Sequence, residues 1–377
     1  MEPTTPHIGT IRLVDALQWR LDRHALVGAG ATSVPDAVER MVVTRAWPSE
    51  AADLTVALRH RDPKRDALNR ALESGAVVRS YAFRGGSFIF TPPTAADLLM
   101  TRTATRIWET NRWQEQGGFA ISDWQPLREA MREILGDGPM TRSQISERLD
   151  RIPGLRDLAQ AALGAGADSL YKPLHWWGDI CFGPTRGAEA TFQLAGPVQD
   201  EPADAAVDEA GRRSIRAYLH SYAPATVDNL AYWLTQGLGV PRRRLLSWIG
   251  DLGSEITTID VDGVPSLALT EDVASIASAR SSESLRLLPA FDPWFFGPGT
   301  ADNRLIPTAQ RALASNSYPL VISRGSAVAT WRVRAQTVVV KPFAPSSQLQ
   351  FPLLEDEVQH LARILDKDLD AVLDPHA

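Results

Sequence analysis

Hydrophobic side chains recur at helical spacing along the first part of the chain. Val34 to Thr44 and Glu50 to Arg59 each place their apolar residues on one helix face. Asp66 to Ser74 is predicted to form a third helix, because Gly75 follows it where a helix C-cap is expected. Two β-rich runs come next and are joined by Arg84-Gly85-Gly86. The pattern therefore predicts three helices followed by a hairpin of Val77–Phe83 and Ser87–Phe90.

The same order of elements recurs twice. In the second repeat, Thr141 is a plausible N-cap for the helix that ends at Leu149, and in the third, Thr226 caps the run VDNLAYWL. Arg242–Gly250 is predicted to form the next helix of the third repeat. The predicted hairpin strands are His175–Phe182 with Ala190–Leu194, and Glu255–Val261 with Ser266–Leu269, the second pair flanking the turn Asp262-Gly263. Helices followed by a hairpin are the order of a winged helix.

The last hundred residues change to a β-rich pattern. Four runs are predicted to be strands, with a turn at Arg324-Gly325, and they indicate a small barrel or curled sheet: Leu285–Pro293, Tyr318–Ser323, Ala327–Val333 and Thr337–Phe343. Glu355–Leu365 is predicted to be a terminal helix that covers this sheet and protects its edges.

These patterns predict an α+β protein with three tandem winged-helix units and a C-terminal β-barrel-like domain. The predicted boundaries are 1–118 for the first winged helix, 119–198 for the second, 199–210 for an acidic linker, 211–280 for the third winged helix, and 281–377 for the barrel with its helix. A chain of 377 residues is long enough for several such domains.

The positions of the charged residues matter more than the net charge for predicting a nucleic-acid-binding surface. The formal net charge is −6, but residues 199–210 carry five acids and no base, and residues 354–377 carry seven acids and two bases. The rest of the chain holds 37 basic and 33 acidic residues. If the two acidic stretches lie outside the folded units, a locally basic surface for nucleic acid is permitted.

Several classes of site are not supported by the sequence. The single cysteine, Cys181, excludes an internal disulfide, and the seven histidines lack metal-binding spacing, so no metal or cofactor is predicted. Phosphate-binding glycine loops and serine-hydrolase motifs are missing. No run is apolar enough to span a membrane and no leader precedes the first helices, so a cytoplasmic protein without a membrane partner is expected.

Arginines at predicted helix starts and hairpin tips are the candidate contacts to DNA phosphates. Arg242, Arg243 and Arg244 open a helix of the third unit, and Arg84 and Arg186 lie in the first two hairpin tips. The alternative for each is a solvated surface arginine or an ordinary turn residue.

The tryptophans and Asp292 also allow two interpretations each. Trp176 and Trp177, like Trp233, Trp248, Trp294 and Trp331, are more consistent with packing than with base stacking, and Asp292 is either a buried carboxylate or a cap before Pro293.

The succession of motifs resembles a known family. FRGGSFIF at 83–90, GDGPMTRSQISERL at 136–149, SYAPATVDNLAYWL at 221–234, LRLLPAFDPWFFG at 285–297 and AVATWRVR at 327–334 are similar to the winged-helix DNA glycosylases of the AlkZ-like and YcaQ-like family. The resemblance covers about Ile11 to Leu365. It implies three winged helices and a β-barrel around duplex DNA, and an activity that excises alkylated bases and unhooks interstrand crosslinks.

The resemblance fails where the family has its catalytic motif. The family places a glutamine, an apolar residue and a glutamine or aspartate after the second helix, and these orient the attacking water. Thr44-Arg45-Ala46 stands there in this sequence. Thr44 offers a hydroxyl, Arg45 is a further DNA-binding candidate, and Ala46 has no polar group. Glu50 and Asp53 are the nearest carboxylates and the low-ranked alternatives for orienting water, although acids early in a helix also serve its dipole.

A second departure lies in the first hairpin. The family commonly has arginine, glycine, threonine, a hydrophobic residue and histidine there. Arg84 and Gly85 match, but Gly86, Ser87 and Phe88 follow.

Three hypotheses follow, and whether the protein is an enzyme stays open between them. The leading one is a bacterial-type protein that binds double-stranded DNA, damaged or distorted, on a glycosylase scaffold with a diverged catalytic motif. The second is an active glycosylase for a bulky alkyl adduct with a rearranged site. The third is a winged-helix transcriptional regulator, which is ranked last because no dimerisation helix is evident and a monomer is expected.

Overall fold

The computed structural model describes residues 10–187, 189–196, 203–344 and 349–374. Its helices are α1 Leu13–Arg23, α2 Val34–Arg40, α3 Ser49–Ala57, α4 Ala67–Glu73, α5 Pro92–Thr103, α6 Asn111–Gly117, α7 Trp124–Gly136, α8 Arg142–Asp150, α9 Arg156–Ala161, α10 Ala167–Trp176, α11 Asp204–Tyr222, α12 Val227–Leu230, α13 Arg242–Leu252, α14 Val273–Ser278, α15 Pro293–Phe296, α16 Arg311–Ser315 and α17 Phe351–Leu365. Its strands are β1 Thr44–Arg45, β2 Val78–Tyr81, β3 Ser87–Phe90, β4 Met140–Thr141, β5 Ile180–Phe182, β6 Thr191–Leu194, β7 Ile256–Val261, β8 Val264–Leu269, β9 Leu285–Leu288, β10 Leu320–Ser323, β11 Ser326–Arg334, β12 Thr337–Pro342 and β13 Asp370–Leu373. The predicted α+β class is confirmed.

The chain divides into two compact units, each assembled from separate segments. The first comprises the described parts of Met1–Leu68, Ile215–Trp233 and Ile249–Ala377, and the second those of Asn69–Ser214 and Leu234–Trp248. Within the described ranges, no helix combines the length and apolarity needed to cross a bilayer.

A five-stranded sheet organises the C-terminal part of the first unit. Its order is β13-β12-β11-β10-β9, antiparallel except for the parallel pair of β12 and β13. Helix α17 covers one face, with Leu354, Val358 and Leu361 in a core shared with Trp331 and Val340, as the predicted lid requires. The barrel prediction is wrong for the described residues, because β9 and β13 remain the two edges of an open sheet.

The first helix joins residues far apart in sequence. Leu17 and Leu21 of α1 pack with Trp294 and Phe295 in a second core. Before α1, the backbone N–H of Ile11 donates to the carbonyl of Asp260 at 2.9 Å. Ile11 is therefore fixed on the β7–β8 hairpin, some 250 residues later in the chain.

The second unit contains the antiparallel hairpin β2–β3 and the small sheet β4-β6-β5. Its core is aromatic, with the rings of Trp108 and Trp177 5.1 Å apart and those of Tyr171 and Phe192 stacked at 4.5 Å. The predicted caps are confirmed in both units. Thr141 and Thr226 each accept a hydrogen bond from the backbone N–H three residues on.

Three elements differ from the sequence prediction. The predicted strand Leu285–Pro293 ends at Leu288, because Asp292 caps helix α15, which begins at Pro293. His175 and Trp176 end helix α10, so the predicted strand His175–Phe182 is wrong except for Ile180–Phe182. The run of aromatic residues reads as a strand, but burial of one helix face decides the structure. Residues from Asp204 onward, predicted to be a linker, form the first turns of α11. Acidic side chains favour a helix N-terminus, and Val207 and Ala210 are buried. Residues 199–202 of the predicted linker lie outside the described part.

Candidate catalytic neighbourhood and nucleic-acid interface

Thr44-Arg45-Ala46 forms a short segment of the first unit with little polar surface. Thr44 is 2% exposed and Ala46 is also buried. The Arg45 guanidinium lies 4.3 Å from the ring centroid of Phe291, and its Nε donates to the carbonyl of Trp47 at 3.1 Å. The segment thus offers a buried hydroxyl and a guanidinium held against an aromatic face. Two side chains that orient a water would have to be polar at both ends of the segment, and Ala46 has no polar side chain.

A buried ion pair holds the residue that follows Phe291, the ring that Arg45 contacts. Arg59, just after α3, donates to both carboxylate oxygens of Asp292, at 2.9 and 2.7 Å, and neither side chain is exposed. Asp292 also accepts from the backbone N–H of Trp294 at 2.9 Å. Both alternatives for Asp292 are therefore correct, since it is buried and caps α15. Because Phe291 precedes Asp292, this pair also places the ring on which Arg45 rests.

Sequence reasoning missed Arg59. Its partner lies 233 residues away, and an arginine at the end of an amphipathic helix is ordinarily exposed. The only available signal was Asp292 within an apolar run, which indicates that some buried cation must compensate it.

Glu50 and Asp53 lie on α3 in a groove of about 260 Å³, which is also lined by Lys64, Arg65 and Asp66. Glu50 is exposed and accepts a 3.4 Å hydrogen bond from the hydroxyl of Ser49. Partial burial raises the pKa of Asp53, and the carboxylates of Asp66 and Glu50 raise it further. A carboxyl group with a raised pKa beside a groove is suited to exchanging a proton.

The tip of the first hairpin carries Arg84, which is exposed and has a left-handed φ of 49°. The next residue, Gly85, also has a positive φ, and a Cβ there would lie 3.1 Å from Nζ of Lys172. Lys172 and Arg142 both pair with Asp168, at 3.1 and 2.7 Å. The structure therefore brings Lys172 to the hairpin tip, a cation that the sequence did not single out because it stands alone in a helix.

The other candidate arginines have different environments. Arg186 donates to Gln144 at 3.0 Å and to the carbonyl of Pro139 at 2.8 Å, so it fastens its own hairpin to the unit. Arg242 and Arg243 are exposed. Arg244 pairs with Asp208 at 2.7 Å, which Trp248 also contacts.

The environment of Arg244 corrects the charge argument. Residues of the acidic stretch are part of the folded unit and neutralise an arginine that the sequence assigned to DNA. Glu357, in the second acidic stretch, is buried beside Arg286 at 3.3 Å. These acids therefore cannot be set aside as lying outside the fold.

The tryptophans predicted to be packing residues are all buried, as expected: Trp176, Trp177, Trp233, Trp248, Trp294 and Trp331. One cluster of possible metal ligands occurs among the described residues, with donor atoms of His220, Glu271 and Asp272 within 4.8 Å of one another. Arg23 already supplies a cation there, because it pairs with Asp272 and hydrogen-bonds Nε2 of His220 at 2.9 Å.

Comparison with known proteins identifies the family of this chain. The sequence model of the DNA glycosylase AlkZ-like family matches residues 38–364. The chain belongs to this AlkZ-like family. Within it, an interstrand DNA cross-link repair glycosylase of Streptomyces sahachiroi is 32% identical over 354 residues, which cover 92% of this chain and 94% of that protein.

A solved structure of an AlkZ-like family member agrees with the fold. The DNA glycosylase AlkZ of Streptomyces sahachiroi superposes with a TM-score of 0.88 at 29% identity, covering 97% of this chain and 100% of that one. The resemblance drawn from the five sequence motifs is confirmed at the level of the AlkZ-like family.

Proposed function

We propose that this protein binds double-stranded DNA that is damaged or distorted, on an AlkZ-like scaffold whose catalytic motif has diverged. Family membership supports the DNA substrate, since the similar Streptomyces protein is an interstrand cross-link repair glycosylase. The observation that carries the divergence is the Thr44-Arg45-Ala46 segment. Its first residue is buried, its last has no polar side chain, and its arginine rests on Phe291.

We propose further that the three helix-and-hairpin groups are winged helices. Hairpins β2–β3, β5–β6 and β7–β8 each follow helices in the predicted order. Arg84 and Arg243 are the contacts we assign to DNA phosphates in the second unit, because they are exposed cations at a hairpin tip and at a helix start. Arg186 and Arg244 are assigned a structural role instead.

The test uses purified full-length protein and three duplexes, carrying 7-methylguanine, a nitrogen-mustard interstrand crosslink, or no lesion. Binding is measured by fluorescence anisotropy, and the same samples are treated with alkali, which cleaves DNA at abasic sites. We expect binding that is tighter on the damaged duplexes, without strand scission above background. Failure to bind any duplex at low salt would overturn the proposal.

Active base excision is the second candidate, and the environment of Asp53 favours it. Its raised pKa and its position beside a groove are what a carboxyl group needs to orient water for glycosidic cleavage. An alkylated purine leaves as a neutral base, so that cleavage demands less assistance than removal of an unmodified base.

Strand scission after alkali would establish this second candidate. Asp53→Asn should then abolish scission with little change in DNA affinity, and Glu50→Gln should reduce it less. Asp62→Asn is the matched control, because Asp62 is a nearby exposed carboxylate outside the groove lining. Scission that survives both Asp53→Asn and Glu50→Gln would exclude the carboxylate mechanism.

A further inference from the structure

Trp47 is exposed in a chain that otherwise uses its tryptophans for packing. Of 11 tryptophans, nine are buried, and Trp113 is half-buried and donates to the carbonyl of Ser169 at 2.9 Å. Trp47 is 62% exposed, more than any other large hydrophobic residue among those described. Trp47 directly follows Thr44-Arg45-Ala46, so its exposed apolar ring is attached next to the segment that stands in place of the family's catalytic motif.

The backbone that carries Trp47 is held in place. Its carbonyl accepts from Nε of Arg45, and Arg45 is in turn held on the face of Phe291. Phe291 adjoins Asp292, which is fixed by Arg59 in the core. A connected set of buried and half-buried groups therefore fixes the backbone position from which the indole projects.

We propose that Trp47 stacks on a base of the bound duplex at the point where a lesion interrupts base stacking, and so acts as a positioning residue for damaged DNA. This inference rests on the proposed function. Every base has an apolar face that an indole can cover, and aromatic wedges are stabilised where neighbouring bases are already unstacked.

Base stacking and phosphate binding have separable signatures. Loss of a stacking contact weakens binding without changing the number of counterions released, so the slope of log Kd against log salt stays the same. Alanine substitution of a stacking aromatic costs enough to raise Kd by at least about fivefold. A general loss of folding would instead alter affinity for every duplex and lower the melting temperature.

The experiment compares Trp47→Ala and Trp47→Phe with wild type. The matched control is Tyr318→Ala, which removes another aromatic side chain that is 53% exposed. The probe is a duplex with a tetrahydrofuran abasic analogue and 2-aminopurine in the adjacent base pair, so that anisotropy gives Kd and 2-aminopurine fluorescence reports stacking. Thermal unfolding is recorded for all four proteins.

We expect Trp47→Ala to raise Kd for this duplex at least about fivefold, to abolish the change in 2-aminopurine fluorescence, and to leave the salt slope and the melting temperature unchanged. Trp47→Phe should retain part of both signals, and Tyr318→Ala should match wild type. Unchanged Kd and fluorescence in Trp47→Ala, while wild type binds, would overturn the inference alone.

Two further results would also overturn it. If Trp47→Ala dissociates a dimer seen by sedimentation, the partner of the indole is a second copy of the chain. If wild type binds no duplex, the proposed function fails and this inference fails with it.

Discussion

Substitution of Arg59 by methionine tests the buried ion pair that underlies the candidate site. The variant leaves the Asp292 carboxylate in the core with one backbone hydrogen bond and no cation. Removing one partner of a buried pair costs about 3–5 kcal/mol. We expect the upper part of this range, because neither side chain is exposed and the Arg59 hydrogen bond to the carbonyl of Thr55, at 3.0 Å, is lost as well.

Scanning calorimetry measures the effect directly. For a unit of about 200 residues, 3–5 kcal/mol lowers the melting temperature by about 6–20 °C. Arg40→Met is the matched control, since it removes the same side chain from a partly exposed pair with Asp36 at 2.7 Å. Such helix pairs contribute only about 0.3–0.5 kcal/mol.

A second variant separates the buried charge from lost packing. Adding Asp292→Asn to Arg59→Met removes the uncompensated carboxylate while keeping an oxygen that can accept from Trp294. The double variant should therefore melt higher than Arg59→Met alone. If Arg59→Met costs less than about 1 kcal/mol, or if the double variant melts lower than the single one, the reasoning is refuted.

Two further predictions concern the second unit. Burial lowers the pKa of His175 to about 3, so the unfolded chain, with a histidine pKa near 6.5, binds the proton first and stability falls as pH drops from 6.5 towards 3. Urea unfolding between pH 6.5 and 5 should show about 2 kcal/mol less loss in His175→Gln, which can still hydrogen-bond Ser80, than in wild type. Equal losses would contradict the burial argument. For DNA binding, Arg243→Ala should reduce the salt slope by about 1, whereas Arg244→Ala should leave the slope unchanged and lower stability through Asp208. The opposite result would assign Arg244 to the DNA surface.

Local signals in the sequence were sufficient for the caps, the turns and most helices. Asp262-Gly263 and Arg324-Gly325 both have left-handed backbone conformations, which their residue types favour. Tryptophan burial was equally predictable, because each of the six residues lies in an apolar pattern. These features depend on interactions within a few residues.

Features that depend on distant residues were not predictable. The end of α10 at Trp176 depends on packing against other elements. One edge of the C-terminal sheet is a parallel strand, β13, that was not predicted from the sequence. At the candidate site, the residue types of Thr44 and Ala46 indicated divergence, but the contact of Arg45 with Phe291 required the fold. The neutralisation of Arg244 by Asp208 likewise became evident only from the structure.

The assembly of the first unit from three chain segments has a consequence during synthesis. Ile11 is hydrogen-bonded to Asp260, and Leu17 packs with Trp294, so α1 leaves the ribosome long before its partners exist. At about 5–20 residues per second, at least about 12 seconds pass between the synthesis of α1 and that of these partners. The apolar face of α1 stays uncovered during this interval. Both segments of the second unit, by contrast, have been synthesised by Trp248. We therefore expect nascent chains stalled before the C-terminal sheet to protect the second unit from protease while α1 remains cleavable.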